Sequence, residues 1–286
     1  MIILHDSRCA EYGSAMRPEQ PARVLRSAAH LRTAHPEWEW RQPEAAPEAD
    51  LLAAHTPELI RRIASPPDID DDTPHFPGIE IHARRSVGAA LSAAELALAG
   101  HQAFVLMRPP GHHCTRRQAM GFCYLNQVAI TALHHAAAGR RVAVWDFDAH
   151  HGNGTEAILG GRPNLLFASV HQSPGYPGTG LGSTGNCHNF PVAPHTSREQ
   201  HLAELARSWE AVLACQPDLV LVSAGFDAYA RDPITAMTLE RGDFAELGRW
   251  LREAGRPAAA ILEGGYSADL PELIDAFLSA WEKTPL

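Results

Sequence analysis

Short apolar runs alternate with amphipathic stretches along almost the whole chain, and this alternation constrains the fold more than any other feature of the sequence. Six runs are predicted as strands: Ile2–Leu4, Ala103–Met107, Val142–Phe147, Leu165–Val170, Leu219–Ser223 and Ala258–Leu262. Six stretches are predicted as helices, near Pro21–Ala34, His82–Ala99, Leu125–Ala138, Ser197–Ala214, Glu240–Ala254 and Leu270–Trp281. Strands that alternate with helices form a parallel sheet covered on both faces. We therefore predict a three-layer α/β/α fold around a mostly parallel central sheet.

We expect residues 1–286 to form one domain. The length falls within the range of a large α/β domain, and 45% hydrophobic residues are enough to bury a sizeable core. No internal repeat and no change of composition marks a second domain. Segments 43–47 and 65–77 are rich in proline and acidic residues, so they are expected to be surface loops.

The composition excludes several classes of protein. A formal charge of −9 argues against a nucleic-acid surface and is compatible with a cationic substrate. No window is long and apolar enough to cross a membrane, and the first residues lack the features of a signal peptide. The five cysteines are odd in number and contain no Cys-x-x-Cys pair, which predicts a reducing cytoplasm rather than a disulfide framework. The oligomeric state stays open, and an oligomer fits the sequence.

Polar clusters follow five of the predicted strands. They are Arg108–His113, Asp146–Asn153, His171–Gly185, Gly225–Asp227 and Glu263–Tyr266. Ligands of α/β proteins bind at the carboxyl ends of parallel strands. Any one cluster could be a turn, but five at one edge predict a functional site.

The cluster after the third predicted strand has the residues of a metal site. Asp146, Asp148 and His150 alternate, so on a strand they would point to one face. Asp148 and His150 offer a carboxylate oxygen and an imidazole nitrogen, and Asp227 offers a third ligand. Two carboxylates and one imidazole leave a position open for water, which is typical of catalytic zinc. The alternative is a strand end with solvated polar residues.

Two further clusters carry groups that amide hydrolysis needs. His112 and His113 follow a stiff Pro-Pro-Gly turn and would supply a base near neutral pH, although an isolated histidine pair is more often structural. Tyr266 could donate to a developing oxyanion; alone it would be a half-buried tyrosine with one hydrogen bond. Gly180–Gly185 matches the dinucleotide pattern G-x-G-x-x-G, but Asn-Cys-His-Asn-Phe-Pro follows it and does not open a helix. We expect a pocket loop there.

These loops, in this order, resemble the zinc-dependent histone deacetylase superfamily, which includes the acetylpolyamine amidohydrolases. The resemblance extends from about Tyr12 to Tyr266. The matching motifs are Arg108-Pro-Pro-Gly-His-His113, Gly121-Phe-Cys-Tyr-Leu-Asn126, Asp146-x-Asp-x-His-His-Gly-Asn-Gly-Thr155, Tyr176-Pro-Gly-Thr-Gly180, Ser223-Ala-Gly-Phe-Asp227 and Leu262-Glu-Gly-Gly-Tyr266. The resemblance implies a single deacetylase catalytic domain of the arginase/deacetylase fold. Arginase-like enzymes share that fold but need a two-manganese carboxylate set, which Asp146-x-Asp-x-His does not reproduce.

The resemblance also implies roles for individual residues. One zinc ion would be bound by Asp148, His150 and Asp227, although Fe²⁺ fits the same ligands. His113 would be the general base and acid, and Tyr266 would hydrogen-bond the substrate carbonyl. His112 would be an electrostatic partner oriented by Asp146. Asn153 stands where class I enzymes have an aspartate behind the second histidine, so the base strength of His113 differs from theirs.

The resemblance implies a narrow acyl-lysine tunnel as well. Phe122, preceded by Gly121, and Tyr176 would line it. Asp72 would hold the substrate backbone at the rim. A structural potassium ion would be bound by Asp146, Ser169 and Val170, together with the backbone carbonyls of Asp148 and His150.

The expected function is hydrolysis of an acetyl or other short acyl group from a lysine side chain of a protein or peptide. Ile234 favours this substrate, because polyamine-specific relatives of one class carry a glutamate there. Acetylpolyamine hydrolysis is the alternative within the same chemistry. An acyl-lysine binding module without turnover is the alternative from another class.

Overall fold

Eight parallel strands form one sheet at the centre of the computed structural model, which describes residues 1–282. The strands are β1 (Ile2–Leu4), β2 (Glu39–Arg41), β3 (Ala103–Val105), β4 (Val142–Asp146), β5 (Leu165–Gln172), β6 (Cys187–Val192), β7 (Leu219–Ala224) and β8 (Ala258–Leu262). Their order across the sheet is β2-β1-β3-β8-β7-β4-β5-β6. Every neighbouring pair is parallel, so all carboxyl ends lie at one edge.

Helices connect the strands and flank the sheet, which confirms the predicted three-layer fold. Within residues 1–282 the α-helices are α1 (Ala22–Ala34), α2 (Glu48–Ala54), α3 (Pro57–Ile63), α4 (Ile79–Leu98), α5 (Gln127–Ala137), α6 (Asn153–Leu159), α7 (Arg198–Ala214), α8 (Arg241–Ala254) and α9 (Leu270–Trp281). None of them is long and apolar enough to span a lipid bilayer. Helix α9 packs on α8 and α1, so the end of the described chain meets its beginning.

The central strands are buried on both faces, which is why they read as unbroken apolar runs. Every residue of β4 and β7 is buried. Trp145 on β4 is fully buried, packs against Trp209 at a ring distance of 4.7 Å, and donates its indole N–H to Ser208 Oγ at 2.9 Å. Truncating such a side chain to alanine typically costs about 3–5 kcal/mol of stability.

The six predicted strands and six predicted helices are all present, with ends shifted by a few residues. Strands β2 and β6 and the short helices α2, α3 and α6 were not predicted. The two proline-rich segments, 43–47 and 65–77, contain no helix or strand and are loops, as expected. The first lies just before α2, and the second lies between α3 and α4. The five cysteines are free thiols, and four of them are buried.

One sequence prediction about the third predicted strand was wrong. Strand β4 ends at Asp146, so Asp148 and His150 do not continue its alternation. The chain turns there because the backbone N–H of Asp148 binds Asp146 Oδ1 at 3.1 Å, and that of His150 binds Asp148 Oδ1 at 2.9 Å. The loop, not a strand, therefore brings these two side chains together.

Candidate active site

The five polar clusters meet at the carboxyl edge of the sheet, as predicted. They follow β3, β8, β7, β4 and β5, which are five consecutive strands of the sheet. The site is therefore assembled from segments that are far apart in sequence and adjacent in space.

Asp148, His150 and Asp227 form a candidate metal centre. One ligand atom from each lies within 4.8 Å of the others. His150 Nδ1 is 3.1 Å from Asp148 Oδ1 and 2.9 Å from Asp227 Oδ2. Both carboxylates are fully buried, and three converging donors of this kind need a cation to balance their charge. The donor set fits a divalent metal such as zinc.

Backbone groups fix the orientation of both carboxylates. The N–H of Gly264 donates to Asp148 Oδ2 at 2.7 Å, and the N–H of Ala149 donates to Asp227 Oδ1 at 2.7 Å. The approach of Gly264 is so close that a Cβ there would lie 2.2 Å from Asp227 Oδ2. Glycine is therefore required at position 264, between the end of β8 and Tyr266.

His112 and His113 lie side by side, with ring centroids 4.0 Å apart. His112 Nδ1 is 3.0 Å from Asp146 Oδ2, and His113 Nδ1 is 2.8 Å from Asn153 Oδ1. The turn before them is held by Glu263, whose Oε2 accepts the backbone N–H groups of Gly111 and His112. An amide oxygen only accepts, so His113 Nδ1 carries the proton and Nε2 is left as a base.

The two histidines differ in basicity. Burial alone would lower the pKa of His112, but the negative charges of Asp148 and Asp146 outweigh it and raise the pKa to about 10. Burial, followed by the positive charges of His112 and His150, lowers the pKa of His113 well below its ordinary value. Two adjacent imidazoles thus have opposite roles available, a cation and a neutral base.

The residues expected to bind potassium lie behind the metal centre. Asp146 pairs with Ser169 in the register of β4 and β5, and both are fully buried. Asp146 accepts hydrogen bonds from His112 and from the backbone of Asp148, and Ser169 Oγ is 2.9 Å from His171 Nδ1. Val170, the next residue of β5, is buried as well.

A cavity of about 260 Å³ leads from the surface to the candidate metal centre. Eight of the nine residues that line it were predicted as site residues, and Pro18 is the ninth. The eight are Asp72, His113, Gly121, Phe122, His150, Tyr176, Ile234 and Tyr266. The structure therefore brings the five predicted substrate-binding residues to one space with His113, Tyr266 and His150, whereas His112, Asp146 and Asn153 do not line it.

Aromatic rings form the walls of this cavity. Tyr176 lies edge-on to His113 at 5.0 Å, and Phe122 lies edge-on to Tyr266 at 5.8 Å. Gly121 has a φ of +56°, and a Cβ there would lie 2.7 Å from His113 Cδ2 and 2.9 Å from Tyr176. A larger residue at 121 would block the space between the imidazole and the phenol.

The loop that carries Tyr176 is anchored by a buried histidine that the sequence analysis did not single out. His151 Nδ1 hydrogen-bonds with Thr179 Oγ1 at 2.7 Å, and its Nε2 with Glu156 at 3.0 Å. Strand β6, not a helix, follows the glycines of this loop. The structure therefore agrees with the rejection of the dinucleotide-binding pattern.

Three exposed residues of the cavity lining mark its mouth, one acidic and two with large apolar surface. They are Asp72, Ile234, which is 38% exposed, and Tyr176, which is 40% exposed. Two residues before Ile234, Asp232 is buried; burial and the charge of Asp227 raise its pKa to about 7.

Three buried charged residues support the site, and the sequence analysis assigned them no role. Arg108 is fully buried and pairs with Glu19, and Glu19 also accepts from Arg23 at 3.3 Å. Arg23 donates in turn to the backbone carbonyls of Glu263 and Gly265. The only sequence signal was the i, i+4 spacing of Glu19 and Arg23, which an exposed helical pair would share.

Comparison with known proteins gives concordant results. The family model for the histone deacetylase domain matches residues 17–281. A histone deacetylase-like amidohydrolase of Pseudomonas aeruginosa is 35% identical, over 90% of this chain and 74% of its own. Among solved structures, the HD domain of HDA15 superimposes with a TM-score of 0.91 at 29% identity, over 98% of this chain and 90% of that one. An acetylpolyamine aminohydrolase from Burkholderia pseudomallei gives 0.90 at 25% identity, over 98% of both chains.

Proposed function

The chain belongs to the histone deacetylase domain family, and on that premise we propose that it hydrolyses an acetyl or other short acyl group from the lysine side chain of a protein or peptide. The observation that carries this proposal is one cavity, lined by His113, His150 and Tyr266, that reaches the centre formed by Asp148, His150 and Asp227. Amide hydrolysis needs an electrophile, a base, an oxyanion donor and an acid for the leaving amine. Each of these groups has a candidate within this cavity.

One zinc ion per chain would be held by Asp148, His150 and Asp227. The fit is supported by the two buried carboxylates and the imidazole nitrogen, which converge without a neutralising lysine or arginine among them. A bound divalent cation supplies Lewis acidity, which polarises the amide carbonyl and lowers the pKa of water.

His113 would move the protons. Its Nδ1–H is held by Asn153, so Nε2 accepts a proton from the attacking water and later returns it to the departing amine. The low pKa of His113 keeps the base neutral, and the neighbouring His112 cation, fixed by Asp146, is one cause of that low pKa. Asp146 thus acts on the reaction through the two imidazoles.

Tyr266 would stabilise the oxyanion that forms from the carbonyl. Burial raises the pKa of Tyr266 well above its ordinary value, so the phenol stays protonated and can donate. Its ring lies beside Phe122 and lines the same cavity as His113.

The aromatic walls and the mouth would select the acyl chain and its amine. Phe122 and Tyr176, with Gly121 between the latter and His113, suit a narrow aliphatic chain. Ile234 offers no negative charge to a second amine, which favours lysine over a polyamine. Asp72 would accept a hydrogen bond from the peptide backbone at the rim.

An acetylated polyamine is the second candidate substrate. The observation in its favour is the close structural likeness to an acetylpolyamine aminohydrolase over 98% of both chains. A catalytically silent acyl-lysine binding module is the non-enzymatic candidate.

The proposal is tested by kcat/KM of the zinc-loaded protein on an acetyl-lysine peptide and on acetylputrescine. We expect the peptide to be preferred and His113→Ala to lower kcat by about 10²–10⁴-fold. His134→Ala, which removes an exposed histidine of α5 bound to Asp50, is the matched control and should leave both rates unchanged.

The other outcomes separate the alternatives. A preference for acetylputrescine would make the protein a polyamine amidohydrolase. Acetyl-lysine binding without release of acetate, with zinc bound in full amount, would identify the binding module.

We extend the proposal to a structural potassium ion and to the cellular compartment. Potassium would be held by Asp146, Ser169 and Val170, and buried anionic and hydroxyl oxygens on adjacent strands support it. Dependence of the melting temperature on KCl against NaCl at equal ionic strength tests it. Free cysteines support a reducing cytoplasm.

A further inference from the structure

The carboxyl group of Asp232 bridges two segments that both line the cavity. Its Oδ2 accepts the backbone N–H of Tyr266 at 2.7 Å, and its Oδ1 accepts the backbone N–H of Ile234 at 3.1 Å. The side chain is 93% buried, since only 7% of the residue is exposed. Asp232 thus joins the residue proposed to bind the oxyanion to the residue at the mouth.

The peptide bond between Gly265 and Tyr266 is held at both ends. Arg23 Nε donates to its carbonyl oxygen, on Gly265, at 2.7 Å, while Asp232 accepts from its N–H, on Tyr266. A guanidinium donor and a carboxyl acceptor therefore hold the two opposite polar atoms of one planar unit. Rotation of that unit would lose both hydrogen bonds, and Gly265, with a φ of +112°, offers little other resistance to rotation.

The side chain of Tyr266 has no comparable restraint. Its ring contacts Phe122 and the Arg23 guanidinium, which lies 4.8 Å from the ring centroid. Among residues 1–282 its hydroxyl has no hydrogen-bond partner. The position of that hydroxyl therefore depends on the peptide that Asp232 and Arg23 hold, because the ring extends from it.

We propose that Asp232 is a positioning residue, which orients Tyr266 for the reaction and links it to Ile234 at the mouth. The inference rests on the proposed function, because it assigns Asp232 an effect through the Tyr266 phenol. Asp232 does not act on the substrate directly, since both of its oxygens are occupied by backbone N–H groups. An amide at this position keeps one acceptor and turns an NH₂ group toward the other N–H.

The kinetic test is a double-mutant cycle of Asp232→Asn and Tyr266→Phe. We expect Tyr266→Phe to lower kcat by about 10²–10³-fold, as the loss of an oxyanion donor does. Asp232→Asn should lower kcat by about 10–100-fold in the wild-type background, because a misplaced donor loses most of its effect. In the Tyr266→Phe background the same change should lower kcat less than about twofold.

Equal effects in the two backgrounds would refute the inference and leave the proposed function intact. The matched control is Asp243→Asn, which alters another buried carboxylate that accepts a backbone N–H, at the start of α8. This variant should lower the melting temperature without changing kcat. A merely structural role of Asp232 would give the same pattern as this control.

A second measurement does not depend on activity. Amide hydrogen exchange at Tyr266 and Ile234 should accelerate at least about tenfold in Asp232→Asn relative to wild type and to Asp243→Asn. Unchanged exchange at both amides would overturn the inference even if the protein hydrolysed no acyl amide.

Discussion

Glu19 is the shared anion of two buried guanidinium groups, and its neutralisation should destabilise the fold strongly. Arg108 is fully buried and Arg23 is 6% exposed, so neither charge can be solvated by water. Glu19 Oε2 accepts from Arg108 Nη2 at 2.6 Å, while Oε1 accepts from both arginines. In Glu19→Gln the side chain keeps its size, loses its charge and turns an NH₂ group toward guanidinium donors.

The expected loss follows from these contacts. Removing one partner of a buried ion pair costs about 3–5 kcal/mol, because the remaining charge stays uncompensated. Here two cations remain, and the carbonyls of Cys9 and Tyr12 that Arg108 also contacts carry only partial charges. We therefore expect the free energy of unfolding to fall by about 3–5 kcal/mol, a large part of a typical total of about 5–15 kcal/mol.

Urea unfolding at pH 7.5, followed by circular dichroism, measures this loss as a lower midpoint with an unchanged slope. Glu58→Gln is the matched control, because Glu58 forms an exposed pair with Arg61 on α3 and should give a change within experimental error. If Glu19→Gln lowers the free energy of unfolding by less than about 1 kcal/mol, the reasoning is refuted, because a loss that small is typical of a solvent-exposed ion pair.

Three further predictions concern the cavity and the buried histidines. Asn153→Asp places an anion at Nδ1 of His113 and should raise the pKa of that imidazole. The acid limb of the pH profile of kcat/KM should therefore move to higher pH. An acid limb at the same pH would exclude His113 as the base. Gly121→Ala should lower kcat/KM by about 100-fold with full metal content, because its Cβ would lie 2.9 Å from Tyr176; a rate near wild type would show that the walls yield. Burial lowers the pKa of His201 to about 4. As the pH falls below 6.5, this histidine therefore takes up a proton in the unfolded chain before it does so in the folded protein, and the free energy of unfolding decreases until the pH reaches about 4. His201→Leu should remove about 2 kcal/mol of the difference in unfolding free energy between pH 7.5 and 5.0, and an equal pH dependence in both proteins would contradict this.

The sheet edge that carries the site was predictable because each buried parallel strand leaves two signals in the sequence. Each buried strand is an apolar run, and each run is followed by polar residues where the chain leaves the core. Asp227 and Tyr266 were assigned to the same site as His113 on this ground alone, although more than a hundred residues separate them from it.

The edge strands β2 and β6 could not be predicted in the same way. Two residues of β2, Glu39 and Arg41, are exposed, so the strand has no apolar run. In β6, His188, Asn189 and Pro191 interrupt the alternation of apolar and polar residues. An edge strand tolerates such residues because one side of its backbone needs no hydrogen-bond partner. Their pairing depends on β1 and β5, to which nothing local in the sequence points.

The supporting charges were missed for a related reason. Glu19, Arg23 and Asp232 resemble surface residues until their long-range partners are known, and these lie between 34 and 242 residues away. Only the fold brings a guanidinium from α1 to the carbonyl of Gly265. Motif spacing detects groups that a single loop holds together, whereas these contacts join three loops.

The place of β8 in the sheet has a consequence for how the chain is made. β8 lies between β3 and β7, and it is the last strand to be synthesised. Without β8 the sheet would consist of two separate halves, and β3 and β7 would each have an unpaired edge of apolar residues. Such edges pair with other chains, so nascent or truncated copies that end before β8 are prone to aggregate. The loop that bears Tyr266 follows directly after β8, so the candidate site can be complete only once β8 has joined the two halves of the sheet.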